Sequence, residues 1–206
     1  MITNPQTTSP ICWYEQSQTT EAIQASRDSG KPLFIDFFAL DCKGCQKLEA
    51  TTYQDSRVAT VLNEAFIPIL YNARRPDMNF ALLNGKALYA FSPVLIFRAA
   101  DGTELRRTTG YLAAEEMLLE LQLGLAFNAL HLNDCEKAFQ LLDAGVKRHP
   151  SAKTIPEALW WRGVAAFRKA SLDINELAEA WSPLINNHPD SVWADRADIL
   201  DPHCEC

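Results

Sequence analysis

The sequence has no long apolar run and no recognisable export signal. A membrane-spanning helix needs about 20 mostly apolar residues, and no stretch of this chain reaches about 18. The first residues, MITNPQTTSPICWYEQ, lack both the basic and the apolar segment of a secretory signal peptide. These two absences predict no membrane partner and a cytoplasmic location.

The chain also has few basic residues and no glycine-rich phosphate-binding loop. Its 19 lysines and arginines are outnumbered by 26 aspartates and glutamates, which leaves a formal net charge of −7. Nucleic acids need a basic face, and the short basic pairs here are Arg74-Arg75 and Arg106-Arg107. We therefore expect no nucleic-acid partner. Because no dinucleotide-binding loop is visible, any reducing electrons would come from an external reductase.

Apolar residues and cysteines are what the chain does contain. Hydrophobic residues make up 48% of its 206 residues, enough for one core and a second, smaller layer. The chain has six cysteines. In a reducing compartment, cysteines are more often catalytic or metal-binding than part of a disulfide framework.

The sequence pattern predicts four parts along the chain. They are a polar arm, an α/β domain, a helical repeat-like region and a Cys/His tail, at residues 1–12, 13–123, 124–200 and 201–206. In the α/β domain, short apolar runs predict strands at 33–39, 66–71 and 92–97, and a more exposed strand at 103–111. Helices are predicted from Trp13 to about Ser29, after the first strand, and over 77–89.

Strands that alternate with helices indicate parallel pairing, whereas the short Asp101-Gly102 turn indicates an antiparallel hairpin at the sheet edge. The predicted fold class is α/β, a mixed sheet flanked by helices. An all-α region follows it, in which two His-Pro breaks stand 39 residues apart and suggest a degenerate repeat of helical hairpins. Two such hairpins cannot bury their apolar faces alone, so we expect them to dock on the α/β layer or on a partner.

Two cysteines, Cys42 and Cys45, stand where the first buried strand gives way to a helix. A helix N-terminus stabilises a thiolate, and the spacing lets the second thiol reach the first. Cys42 would then attack a disulfide and Cys45 would resolve the mixed disulfide. A zinc site needs two more ligands, and no second C-x-x-C exists. A metal site and inert structural thiols stay open as alternatives.

Two further residues bear on the dithiol. Asp36 lies inside an apolar strand, where a carboxyl group stays neutral or accepts a proton. Pro93 opens a strong strand after Ser92; a proline there can be cis and present the preceding backbone to a neighbouring site. The simpler alternatives are an irregular strand end for Asp36 and an ordinary strand start for Pro93.

The segment FIDFFALDCKGC resembles the strand and active site of thioredoxins, which run roughly V-D-F-W-A-x-W-C-G-P-C. FSPVLIF resembles the cis-proline strand of that family, and DGTELRRTTGY resembles its edge hairpin, with Gly110 near the usual glycine. The resemblance covers about residues 13–123. It implies a thioredoxin fold and a thiol–disulfide oxidoreductase that uses Cys42, Cys45 and Asp36.

The same resemblance implies that the substrate contacts five residues around the dithiol: Asp41, Lys43, Gly44, Ser92 and Pro93. The substrate would be a disulfide-containing protein or a small thiol compound, and no cofactor beyond the Cys42–Cys45 disulfide and no metal is expected. This chain departs from the family by carrying Asp41 in place of a tryptophan and Lys43-Gly44 in place of Gly-Pro. Asp41 disfavours the Cys42 thiolate and Lys43 favours it.

The helical region loosely resembles tetratricopeptide repeats and would dock a protein partner. Its aromatic residues are assigned mainly to the core, namely Trp160, Trp161, Phe167, Trp181 and Trp193. The tail offers His203, Cys204 and Cys206, which could hold a metal or act as a second dithiol. Two alternatives to the oxidoreductase are therefore a protein-interaction scaffold with a vestigial dithiol and a metal-handling protein.

Overall fold

The structure, a computed structural model, describes residues 9–200 and divides the chain into two units between Met117 and Leu118. That division falls within one helix, which also contains the predicted boundary at residue 123. The elements of the first unit are β1 (Tyr14–Glu15), α1 (Thr19–Ser29), β2 (Leu33–Phe38), α2 (Lys43–Ala50), α3 (Ser56–Ala65), β3 (Ile67–Asn72), α4 (Phe80–Asn84), β4 (Val94–Arg98) and β5 (Glu104–Thr109).

The five strands form one mixed sheet in the order β1-β3-β2-β4-β5, with β2 at its centre. Side chains alternate along β2. Leu33, Ile35 and Phe37 join the apolar cluster that includes Ala22 of α1 and Leu83 of α4. Phe34 instead contacts Phe66 and Phe97, and Asp36 contacts Tyr53, a residue that follows α2. The predicted mixed sheet with flanking helices is confirmed.

The expectation of parallel pairing between helix-linked strands holds for β2 and β3 but is wrong for β4, which runs antiparallel to β2. The predicted helix over 77–89 is also too long, because α4 has five residues. A helix of that size advances only about 7 Å, whereas a six-residue strand spans about 20 Å. The chain therefore does not return to the edge of the sheet at which β2 and β3 begin. Strand β4 starts at the edge where β3 ends, and so it runs antiparallel to β2.

Helix α4 ends early because Gly85 follows it at a φ of +67°, and two arginines bond the carbonyl groups left open at its end. The guanidinium of Arg98 donates to the carbonyl of Leu83, and that of Arg107 donates to the carbonyl of Asn84. These bonds satisfy carbonyl groups that a longer helix would have used. The predicted start of the first helix at Trp13 is wrong as well, because Tyr14 and Glu15 pair with β3 as an edge strand and α1 begins at Thr19.

The second unit is helical. Its elements are the rest of α5 (Ala114–His131), then α6 (Cys135–Arg148), α7 (Ile155–Lys169), α8 (Ile174–Asn187) and α9 (Val192–Ala197). The 39-residue repeat has a structural counterpart, because α6 and α8 each contain 14 residues. Each follows an N-cap aspartate, Asp134 or Asp173, and is followed by a C-cap histidine, His149 or His188. The tetratricopeptide likeness stays a prediction.

This helical unit encloses a core of its own. Leu142, Leu159, Trp181 and Leu184 are buried in it, and the aromatic residues assigned to the core pack against it as predicted. The Trp181 indole donates to the carbonyl of Trp160 and is 2% exposed. The α6–α8 helices do not bury their apolar faces alone, because α5 and α9 also contribute buried side chains to this core. Docking of the hairpins on the α/β layer or on a partner stays a prediction.

Candidate active site

Cys42 and Cys45 are joined in a disulfide at the point where β2 ends and α2 begins. Cys42 is the N-cap of α2, and its Sγ accepts a hydrogen bond of 3.1 Å from the backbone N–H of Cys45. In many helices a side-chain oxygen of the N-cap residue accepts this hydrogen bond, and here the sulfur of Cys42 takes its place. The same N–H group and the helix dipole would stabilise a thiolate on Cys42 after reduction.

The two sulfur-bearing residues differ in exposure. Cys45 is 8% exposed and packs inside the domain, whereas Cys42 is half-buried and lines an open cavity of about 520 Å³. An incoming disulfide has a path to Cys42 through this cavity. The asymmetry fits the predicted order of attack, in which Cys42 reacts first and Cys45 resolves.

The five residues predicted to contact a substrate all line the same cavity as Cys42. They are Asp41, Lys43, Gly44, Ser92 and Pro93. The first three come from the start of α2 and the last two precede β4, so the tertiary structure brings together two segments that are about 50 residues apart in sequence. Asp36 does not line the cavity; it lies in β2, the central strand of the sheet.

The Ser92–Pro93 segment is held tightly against the dithiol loop. The Ser92–Pro93 peptide bond is cis. The Pro93 carbonyl accepts 2.9 Å from the N–H of Gly110, a residue at φ +101°, and the hydroxyls of Ser92 and Tyr89 are hydrogen-bonded to each other. A Cβ added to Gly44 would approach Cδ of Pro93 to 3.1 Å, which is tighter than normal packing, so glycine permits this close approach.

Asp36 is buried, and its carboxyl group accepts one hydrogen bond. It is 2% exposed; its Oδ2 accepts a bond of 2.8 Å from the hydroxyl of Tyr53, and its Oδ1 has no partner. Burial raises the pKa of Asp36 to about 7; the Tyr53 hydrogen bond lowers it and the nearby charge of Glu49 raises it. A carboxyl group with this pKa can exchange a proton near neutral pH.

Sequence reasoning missed two residues of this site. Tyr53 lies in a short 3₁₀ turn after α2, and its hydroxyl donates a hydrogen bond to Asp36. Arg74 follows β3 and forms a 3.1 Å ion pair with Asp41. No local motif marks either residue, because each partner lies 17 or 33 positions away along the chain.

Replacing Tyr53 by phenylalanine is expected to raise the pKa of Asp36 further, by about one unit. The substitution removes the one hydrogen bond that stabilises the Asp36 carboxylate, and a bond to a charged group is worth about 1.5–3 kcal/mol. Carbon-detected NMR of the Asp36 carboxyl group across pH measures the change. Tyr14→Phe is the matched control and is expected to leave the titration unchanged; an unchanged titration in Tyr53→Phe would contradict the assignment.

Across residues 9–200, no three His, Cys, Asp or Glu side chains are grouped as metal ligands. The residues of the predicted metal-binding alternative, His203, Cys204 and Cys206, lie outside the described part of the chain. Among the helices of that part, none is long and apolar enough to cross a membrane. The other two cysteines are an exposed Cys12 and a partly buried Cys135.

Comparison with known proteins places this site in a family. A family model named Thioredox_DsbH, described as "Protein of unknown function, DUF255", matches residues 3–118, more than half of the chain. The chain belongs to the Thioredox_DsbH family. The matched segment contains β1 to β5, the dithiol and Pro93, and so corresponds to the part of the chain that resembles thioredoxins.

Individual relatives of this Thioredox_DsbH chain match only part of it. A thiol:disulfide interchange protein DsbD from Ralstonia nicotianae is 30% identical over 110 residues, which cover 53% of this chain and 18% of that protein. An uncharacterized protein from Caenorhabditis elegans is 32% identical over 71 residues, which cover 34% of this chain and 10% of that protein. The chain thus spans less than a fifth of the length of these curated relatives.

A solved structure of a thioredoxin from Thermus thermophilus is 19% identical to this chain, with a TM-score of 0.48. The match covers 59% of this chain and 93% of the thioredoxin.

Proposed function

We propose that the protein is a thiol–disulfide oxidoreductase that reduces or exchanges disulfides of a protein or small-molecule substrate. One observation carries the proposal: Cys42 and Cys45 can join at a helix N-terminus, with Cys42 facing a cavity and Cys45 buried behind it. The disulfide state shown in the structure is the oxidised form of this proposed cycle.

The reaction begins from the reduced dithiol. The Cys42 thiolate attacks one sulfur of the substrate disulfide; that S–S bond breaks, a mixed disulfide forms, and the departing substrate sulfur takes a proton. Cys45 loses its proton and attacks Sγ of Cys42, which releases the second substrate thiol and leaves the Cys42–Cys45 disulfide. The substrate gains two electrons and two protons, and an external reductase returns two electrons to the protein.

Asp36 is proposed as the acceptor for the Cys45 proton. Its pKa of about 7 allows it to hold or release a proton at neutral pH, and its unpartnered Oδ1 leaves one lone-pair site available. Ser92 and Pro93 are proposed to hold the substrate backbone at the cavity, while Asp41, Lys43 and Gly44 flank the reacting sulfur.

The relatives support the type of partner and leave its identity to experiment. The Ralstonia protein is named for thiol:disulfide interchange, but this chain corresponds to less than a fifth of it. A disulfide-containing substrate, an external reductase and a protein partner at the second unit are therefore our proposals. The cytoplasmic location stays a prediction.

Reduction of insulin disulfides with dithiothreitol as the electron source tests the proposed function. We expect turnover in the wild-type protein and a loss of at least about 100-fold in Cys42→Ser, because the nucleophile is removed. Cys12→Ser is the matched control, since Cys12 is an exposed cysteine that does not line the cavity, and it is expected to react at the wild-type rate. Equal rates in Cys42→Ser and wild type would sink the proposal.

The insulin assay and a metal analysis of the purified protein separate the two alternatives. An inactive wild-type protein that retains its disulfide would favour a scaffold with a vestigial dithiol. Metal that copurifies with wild type and is absent from a Cys204→Ser, Cys206→Ser double variant would favour metal handling.

A further inference from the structure

The residue immediately before the proposed nucleophile is acidic. Asp41 stands where the thioredoxin pattern has a tryptophan, and it places a carboxylate next to Cys42 at the rim of the cavity. Like charges disfavour one another, so this carboxylate opposes formation of the Cys42 thiolate. The Asp41 carboxylate therefore lowers the fraction of Cys42 that is present as the reactive thiolate.

Arg74 meets this charge from another part of the fold. Its guanidinium lies 3.1 Å from the Asp41 carboxylate, and both residues line the cavity. The backbone that carries Arg74 is fixed: its N–H donates to Oδ1 of Asn72, and Gln16 donates to the neighbouring carbonyl of Arg75. The ion pair thus connects the β2–α2 segment with the segment after β3.

We propose that Arg74 is a positioning residue for the dithiol reaction, which cancels the charge of Asp41 and so keeps Cys42 nucleophilic near neutral pH. The inference rests on the proposed function, because it assigns Arg74 a part in that reaction. Lys43, which also flanks Cys42, forms no ion pair with the carboxylates of residues 9–200. Arg74 is the cation that the structure pairs with this carboxylate.

The size of the effect follows from Coulomb's law. Two unit charges roughly 6–7 Å apart in a solvent-exposed setting change the thiolate fraction by about threefold. The pair itself contributes little to folding, since both side chains are 70% exposed. Substitutions at these two positions are therefore expected to alter reactivity and to leave the fold unchanged.

Alkylation of Cys42 in the reduced protein tests the inference. The rate of reaction with iodoacetamide is followed across pH, with mass spectrometry to resolve Cys42 from the other cysteines. Arg74→Gln is expected to slow the reaction about threefold at pH 7 and to move its pH profile upward. Asp41→Asn is expected to accelerate it about threefold, the double variant to return near wild type, and Arg74→Lys to retain most of the wild-type rate.

Arg75→Gln is the matched control, because Arg75 is the adjacent arginine and does not line the cavity. It is expected to change the rate much less than Arg74→Gln does, and 0.5 M salt is expected to shrink all of these differences. A wild-type rate and pH profile in Arg74→Gln would overturn the inference. Alkylation needs no turnover, so the predicted shifts in a protein that fails to reduce insulin would uphold the role of Arg74 and reject the oxidoreductase proposal.

Discussion

Replacing Cys45 by serine is expected to trap Cys42 in a mixed disulfide with its substrate and to stop turnover. Cys42 retains its cavity and the N–H group that stabilises its thiolate, so the first exchange proceeds. The second exchange needs a thiol at the N-terminus of α2 that can reach Sγ of Cys42, and serine cannot supply it. We expect the steady-state rate of insulin reduction to fall at least about 100-fold.

The mixed disulfide trapped by Cys45→Ser tests the roles of the two cysteines more directly than the turnover rate does. Incubation of Cys45→Ser with oxidised substrate, followed by non-reducing electrophoresis and peptide mass spectrometry, should show one substrate chain bound per protein through Cys42. Cys42→Ser should trap far less, because the remaining thiol is 8% exposed. If both single variants trap the substrate equally, the division into attacking and resolving cysteines is wrong. Cys135→Ser serves as the control for a partly buried cysteine outside the dithiol.

Replacing Asp36 by asparagine is expected to stabilise the oxidised first unit at alkaline pH. Burial raises the pKa of Asp36 from 3.8 to about 7. At pH values between these two numbers, the carboxyl group is protonated in the folded state and ionised in the unfolded state. Stability is therefore lost as pH rises from about 4 to about 7, and the full cost is present above that range. A pKa difference of this size corresponds to a free energy on the order of 4 kcal/mol.

Asparagine is neutral at every pH, and its side-chain oxygen can accept the hydrogen bond from the Tyr53 hydroxyl. The substitution therefore removes the charge and retains the hydrogen bond. Hydrogen exchange of the β2 amides at pH 4.5 and pH 8.5 measures the free energy of opening of this unit. We expect a gain of a few kcal/mol in Asp36→Asn at pH 8.5 and almost none at pH 4.5. Asp28→Asn, at an exposed position in α1, should show no such pH-dependent gain.

An equal gain at both pH values in Asp36→Asn would show that the substitution acts through packing rather than through ionisation. A loss of stability at pH 8.5 would show that the carboxylate is better solvated in the folded protein than its burial indicates. Burial and the charge of Asp36 raise the pKa of the Tyr53 hydroxyl and of the Tyr89 hydroxyl, and both start from a pKa of 10.0, so these two groups stay protonated at both pH values.

Local sequence signals located most of the predicted site. The apolar run before Cys42 specified a central strand, the C-x-x-C spacing specified a dithiol at a helix start, and the proline after Ser92 marked the opposite wall of the cavity. Each of these features is encoded within a few neighbouring residues, which is why periodicity and motif reasoning reach it. The roles assigned to these residues stay predictions until the variants above are measured.

Long-range contacts escaped the same reasoning. Tyr53 and Arg74 have no special sequence context, and each acquires its importance only when folding brings it to Asp36 or Asp41. The guanidinium groups of Arg98 and Arg107 reach the carbonyls at the end of α4 in the same way, although Gly85 marks that end locally.

By itself, the sequence determined which residues carry chemistry, because cysteine spacing and a carboxyl group within an apolar strand are properties of neighbouring positions. Tertiary structure alone decided how reactive those residues can be. A thiolate or a carboxylate responds to every charge and hydrogen bond within a few ångströms. In this protein the partners of Asp36 and Asp41, which are Tyr53 and Arg74, come from segments that are distant along the chain.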